Sequence, residues 1–181
     1  MLKEHYFDST HKYTSKILKN YLETQGGFNN KICLDMPSGN GRNIFLLALH
    51  FSHVYGIDIS QKYLDEIESY KSKYHISNIT TSILDITKNT SVTLPSADFI
   101  CISHFYDYAF LDKVKLSIKE GAKIYIETPT CRGGNYLELP NKIELEDFLN
   151  GFKLIYYKNN VCNSNKRVNK SISFKAILEK K

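Results

Sequence analysis

The residues best placed to do chemistry lie in two short stretches, Leu34-Asp35-Met36-Pro37-Ser38-Gly39-Asn40-Gly41-Arg42-Asn43 and Tyr55-Gly56-Ile57-Asp58-Ile59-Ser60. Each sets an acid at the end of an apolar run. The first run continues into a Gly-x-Gly turn, where a backbone without Cβ atoms lets a ligand approach closely. Ligands of open α/β sheets bind outside the carboxyl ends of the strands, so two strand-end acids beside a glycine turn mark a binding crevice.

Three ligand classes use such a turn. A phosphate-cradling P-loop needs Gly-Lys-Ser or Gly-Lys-Thr to close it, whereas Gly41 is followed by Arg42 and Asn43, which excludes that reading. A dinucleotide site needs a third glycine three residues after the second, and that position holds Ile44. S-adenosylmethionine (SAM) has no phosphate and bears a sulfonium and an ammonium, so an acid such as Asp35 beside the turn attracts it.

The elements that must position these residues follow from the apolar pattern. Strands are expected at Lys31–Asp35, His53–Asp58, Ile79–Asp85, Ala97–Ser103 and Gly121–Glu127. An N-terminal helix is expected over Ser9–Gln25, ended by Gly26 and Gly27, and a buried helix over Ile44–Phe51. Ser60 is a candidate cap for a helix with Tyr63, Ile67, Tyr70 and Tyr74 on one stripe, and further helices fall between Tyr106 and Ile118 and around Ile143–Asn150. Continuously apolar strands alternating with helices call for a parallel sheet covered on both faces. Phe152–Lys158 and Val168–Leu178 are joined by too short a polar loop for a parallel crossover, so they are expected to pair as an antiparallel hairpin. The expected fold is one α/β domain over residues 1–181, a Rossmann-like α/β/α sandwich with a mostly parallel seven-stranded sheet ending in that hairpin.

Leu34–Asn43 and Ile57–Ser60 resemble motif I and the following acidic motif of class I SAM-dependent methyltransferases, and Gly41-Arg42-Asn43 is similar to the small tellurite-resistance-type members. The resemblance implies that Asp35, Gly39 and Gly41, with Pro37 between them, frame the methionine end of SAM, and that Asp58 accepts both ribose hydroxyls, with Ile59 beside it. Asp85 would take the adenine amino group, Ile86 would pack on the ring, and Ser103 would lie beside the sulfonium. The reaction implied is direct in-line methyl transfer to a small-molecule acceptor, leaving S-adenosylhomocysteine (SAH), with no metal. Asp58 and Asp85 have simpler roles open to them as helix and loop caps.

His104 follows the fourth strand, where the methyl group would be presented, and an imidazole there could take a proton from the acceptor. Tyr6, Tyr106 and Arg132 are candidates for the acceptor wall, Arg132 by pairing with an anionic group. Cys33, Cys101, Cys131 and Cys162 form no Cys-x-x-Cys pair, which argues for reduced thiols and against a metal site.

A net charge of +5 permits a nucleic-acid partner without favouring one. Enzymes that methylate base amino groups carry Asn/Asp-Pro-Pro-Tyr/Phe after the fourth strand, whereas this chain has Ser103-His104-Phe105-Tyr106. RNA or protein methylation, or a non-catalytic SAM-binding or partner-binding module, stand as alternatives. A polar N-terminus and the lack of a bilayer-length apolar run point to a cytoplasmic protein without membrane contact, expected as a monomer or homodimer.

Overall fold

Apolar residues on both sides of a strand must be covered from both sides, and the sheet meets this requirement with helices above and below. The computed structural model describes residues 14–88, 94–130, 142–162 and 171–181. Chain order is α1 (Lys16–Gln25), β1 (Ile32–Asp35), α2 (Ile44–Ala48), β2 (His53–Asp58), α3 (Gln61–Tyr74), β3 (Ile79–Ile83), β4 (Phe99–Ser103), α4 (Tyr108–Ser117), β5 (Lys123–Thr130), α5 (Lys142–Leu149), β6 (Phe152–Cys162) and β7 (Ser171–Lys180). The seven strands lie in the order β3-β2-β1-β4-β5-β7-β6. Pairings from β3 to β5 are parallel, and β7 runs antiparallel to both β5 and β6, as the hairpin expectation required.

The strand order turns back at β1 and β4, which sit side by side with Asp35 opposite Cys101. At such a switch point the connections leave to opposite sides and open a crevice at the carboxyl edge. Alternation along the strands feeds two apolar layers. Cys33 and Cys101 join Leu18, Leu22, Phe45 and Phe99 on one face, while Leu34, Ile100 and Ile102 join Phe110, Val114 and Phe174 on the other.

Several boundaries differ from the sequence reading. Thr14 and Ser15 are not helical, so α1 starts at Lys16 and no helix runs unbroken from Ser9. Ser15 has extended backbone, and its hydroxyl is engaged with the Tyr125 phenol rather than with the helix. α2 stops after five residues, all buried, and the next turn carries Phe51 onto Phe28 and Phe99. The buried stripe of α3 is Leu64 and Ile67, with Tyr70 and Tyr74 packed beside it, while Tyr63 faces outward.

Ile44, which occupies the third-glycine position of a dinucleotide turn, is accommodated from the strand side. A Cβ on Gly56 of β2 would lie 2.4 Å from Ile44 Cδ1. The close helix–strand approach that a third glycine would give is achieved by a glycine on β2 instead.

Candidate cofactor and acceptor site

The turn after β1 is tied to the strands on both sides. Met36 N–H donates to Cys101 O (3.0 Å) and Ser38 N–H to Ile57 O (2.9 Å). The Met36–Pro37 peptide is cis. Gly39 has φ +54° and Gly41 φ +98°, values that other residues adopt only with strain, and a Cβ on Gly41 would also strike the Phe45 ring at 2.7 Å. This arrangement turns the Gly39 amide toward β2, where it donates to Asp58 Oδ2 (2.7 Å), while Ser60 N–H donates to Asp58 Oδ1 (2.9 Å).

A cleft of about 420 Å³ opens over this turn, lined by Pro37, Gly39, Asp58, Ser103 and His104 from the expected set and by Ser38, Asn40, Arg42, Asn43 and Tyr63 besides. Two of its lining residues, Ser38 and Asn43, and the neighbouring Asp35, which does not line it, carry buried polar atoms without partners. Both carboxylate oxygens of Asp35, Ser38 Oγ and Asn43 Oδ1 are buried with no hydrogen bond among the described residues. The Cys101 thiol beside Asp35 is only a weak donor. Burial pushes the Asp35 carboxyl up to about 7; Cys101 and the Arg42 charge oppose the shift, and Asp58 adds to it. Buried polar groups are normally paired, so this cluster asks for a ligand that brings donors. The ammonium and hydroxyls of SAM are donors of that kind, and the residues present fit the group.

The remaining expected residues fall elsewhere. Gly41 lies under the turn against Phe45 and Ile67. Ile59 is exposed, as are Tyr63 and Ile83 at the same edge of the sheet. Asp85 acts as a loop cap: its Oδ1 accepts from Thr87 N–H (3.1 Å), Thr87 Oγ1 (2.6 Å) and Lys88 N–H (3.3 Å). Ile86 packs on the apolar layer beneath β1 and β4, and Tyr106 is buried within that layer. Tyr6 and Arg132 lie outside the described residues. Among the described residues, no group of His, Cys, Asp or Glu could hold a metal ion, and no helix is long and apolar enough to cross a membrane.

Sequence reasoning missed a charged cluster at the His104 side of the cleft. Glu127, at 5% exposure, accepts from Lys175 Nζ (2.6 Å), from the Tyr125 hydroxyl (2.6 Å) and from Arg42 Nη2 (3.2 and 3.3 Å). Burial would raise its pKa, but the bonds from Lys175 and Tyr125 and the Arg42 charge outweigh that and hold it down to about 2. Arg42 Nη1 also contacts His104 Nε2. Partial burial, then the Arg42 charge, lowers the His104 pKa; Glu127 opposes and Lys175 adds to the effect. The imidazole is therefore neutral at pH 7, the form able to accept a proton. Asn43, also missed as a site residue, bonds Ser103 Oγ (2.8 Å) and so ties α2 to the end of β4.

Residues 28–178 match the family profile described as a methyltransferase domain. The chain belongs to the methyltransferase-domain family. The resemblance to class I SAM-dependent methyltransferases drawn from its motifs is thereby borne out. Among solved structures, TehB from Haemophilus influenzae superposes with a TM-score of 0.82 at 18% identity, covering 99% of this chain and 67% of that one. SMU.1697c from Streptococcus mutans, solved in complex with SAH, gives 0.65 at 19% identity, covering 94% and 99%. An rRNA methylase from Streptococcus thermophilus gives 0.62 at 15% identity, covering 95% and 99%. No curated protein matches the chain by sequence.

Proposed function

We propose that this methyltransferase moves the methyl group of SAM to a small-molecule acceptor at the His104 side of the cleft, releasing SAH. The observation that carries the reading is the set of buried acceptors on Asp35, Ser38 and Asn43 that find no partner stronger than the Cys101 thiol among the described residues, Ser38 and Asn43 in the lining of a cleft walled by Asp58 and Asp35 beside it. When bound, SAM supplies a methyl already activated on a sulfonium. Asp35 would hold its ammonium and Asp58 its ribose hydroxyls, with Pro37, Gly39 and Ser103 shaping the wall between them. Exposed Ile59 and Ile83 give an apolar seat at the edge where an adenine ring would sit, with Asp85 and Ile86 just beyond.

On this chain the protein's part in the reaction is positioning, which by itself removes much of the barrier to in-line transfer. Neutral His104 stands at the mouth, and it would receive a proton from the acceptor once Arg42 gives up its contact with Nε2. The test is incorporation from methyl-tritiated SAM into a small-molecule extract and, separately, into total RNA. Label in low-molecular-weight products supports the reading. Label in RNA alone replaces it with nucleic-acid methylation.

A further inference from the structure

His104 is one of two described non-glycine residues in the left-handed backbone region, with φ +56°. Such a conformation is strained for a residue with a Cβ and persists where the surroundings hold it. Here one residue reaches it from two directions. Glu127 O accepts the His104 amide at 2.7 Å, and Glu127 Oε1 lies 3.8 Å from His104 Nε2. The same carboxylate binds Lys175 and Arg42, and Arg42 in turn touches the imidazole. Glu127 can serve as an anchor because it is itself fixed. Tyr125 Oη donates to it at 2.6 Å and lies 2.5 Å from Ser15 Oγ at the start of α1, so the carboxylate is held from β5, β7, α1 and the motif turn together.

We propose that Glu127 is the positioning residue of the acceptor face, fixing the His104 backbone through its carbonyl and the charge around the imidazole through Arg42 and Lys175. That His104 meets an acceptor rests on the methyltransferase reading; the clamp itself does not. Without the carboxylate, Arg42 and Lys175 would face the imidazole without the negative charge that Glu127 sets between them. The charged groups reaching His104 among the described residues are these three, Arg42, Glu127 and Lys175. Their signs give the expected response: neutralising Glu127 disfavours the imidazolium, and neutralising Lys175 favours it.

The experiment is NMR titration of the His104 ring, assigned by loss of its signal in His104→Gln, in the wild type, Glu127→Gln and Lys175→Met, each with and without SAH. The midpoint moves to lower pH in Glu127→Gln and to higher pH in Lys175→Met. Midpoints equal to the wild type in both variants overturn the proposal. If Glu127→Gln does not fold, Lys175→Met decides alone, because its midpoint either rises or refutes the clamp. A wild type that binds no SAH defeats the methyltransferase reading, while the midpoints in the free protein still decide the clamp.

Discussion

Gly56→Ala probes the packing that seats the motif turn. The new methyl would lie 2.4 Å from Ile44 Cδ1 and 3.5 Å from Ser38 Cβ and Oγ. Ile44 is fully buried, so its terminal carbon has little room to retreat. Overpacking of a filled core costs about 1–3 kcal/mol, and loss of glycine's freedom in the unfolded chain offsets about 0.4–1 kcal/mol of that. Ile44→Val removes the clashing carbon and alone costs about 0.5–1.5 kcal/mol through the space it leaves. Placed together, the alanine methyl fills that space, so the double variant loses less than the sum of the two by about 1 kcal/mol. Urea denaturation of the four proteins measures this cycle, and thermal midpoints give an independent reading at about 2–4 °C per kcal/mol for a chain of this size. Gly56→Ala at wild-type stability, or strictly additive losses, would refute the claim that β2 supplies the close approach to α2.

Two carboxylates should bend the pH dependence of stability in opposite senses. Asp35 is raised to about 7, so its contribution is complete below its unfolded value near 3.8 and is lost as pH rises to about 7; Asp35→Asn should therefore gain relative to wild type at pH 8 over pH 4, by at most about 4 kcal/mol from roughly three pH units at 1.36 kcal/mol each. Glu127 is lowered to about 2, so its contribution is present above its unfolded value near 4.5 and fades as pH falls through about 2; the deficit of Glu127→Gln at pH 6 should shrink in acid denaturation. SAM affinity should rise as pH passes upward through 7, because only ionised Asp35 attracts an ammonium, and Asp35→Asn should flatten that rise in calorimetry. Asp107 caps α4 by accepting from Phe110 N–H at 2.7 Å, so Asp107→Ala should cost about 1 kcal/mol in thermal denaturation with SAH binding kept.

The strands were legible because each is a run of apolar residues closed by an acid or a polar turn; β2 coincides with the expected His53–Asp58. Asp58 and the Gly39 turn stand together as their motifs suggest, with Asp58 closing β2 and accepting from the Gly39 and Ser60 amides. Helix ends were read less well. Ser9 looks like a cap in sequence, yet the start of α1 is set by Ser15 bonding Tyr125, a partner 110 positions away. Glu127 closes an expected strand, but nothing local marks its cluster, because its partners Arg42 and Lys175 are 85 and 48 positions distant and meet it only when β5 lies between β4 and β7. His104 stands out in the sequence by its place after the fourth strand, but its left-handed backbone has no signature in the residue type. The compensation of Ile44 by Gly56 was likewise hidden, since the motif is written on one segment and its complement on the next.

The central claim is that the cleft lined by Asp58, with Asp35 buried beside it, is a SAM site, and calorimetric titration with SAM and SAH on the wild type and Asp58→Ala tests it most directly. The account predicts one-to-one binding of both ligands to the wild type and loss of both in a folded Asp58→Ala protein. Failure of the wild type to bind either ligand, or equal affinity in the variant, would contradict it.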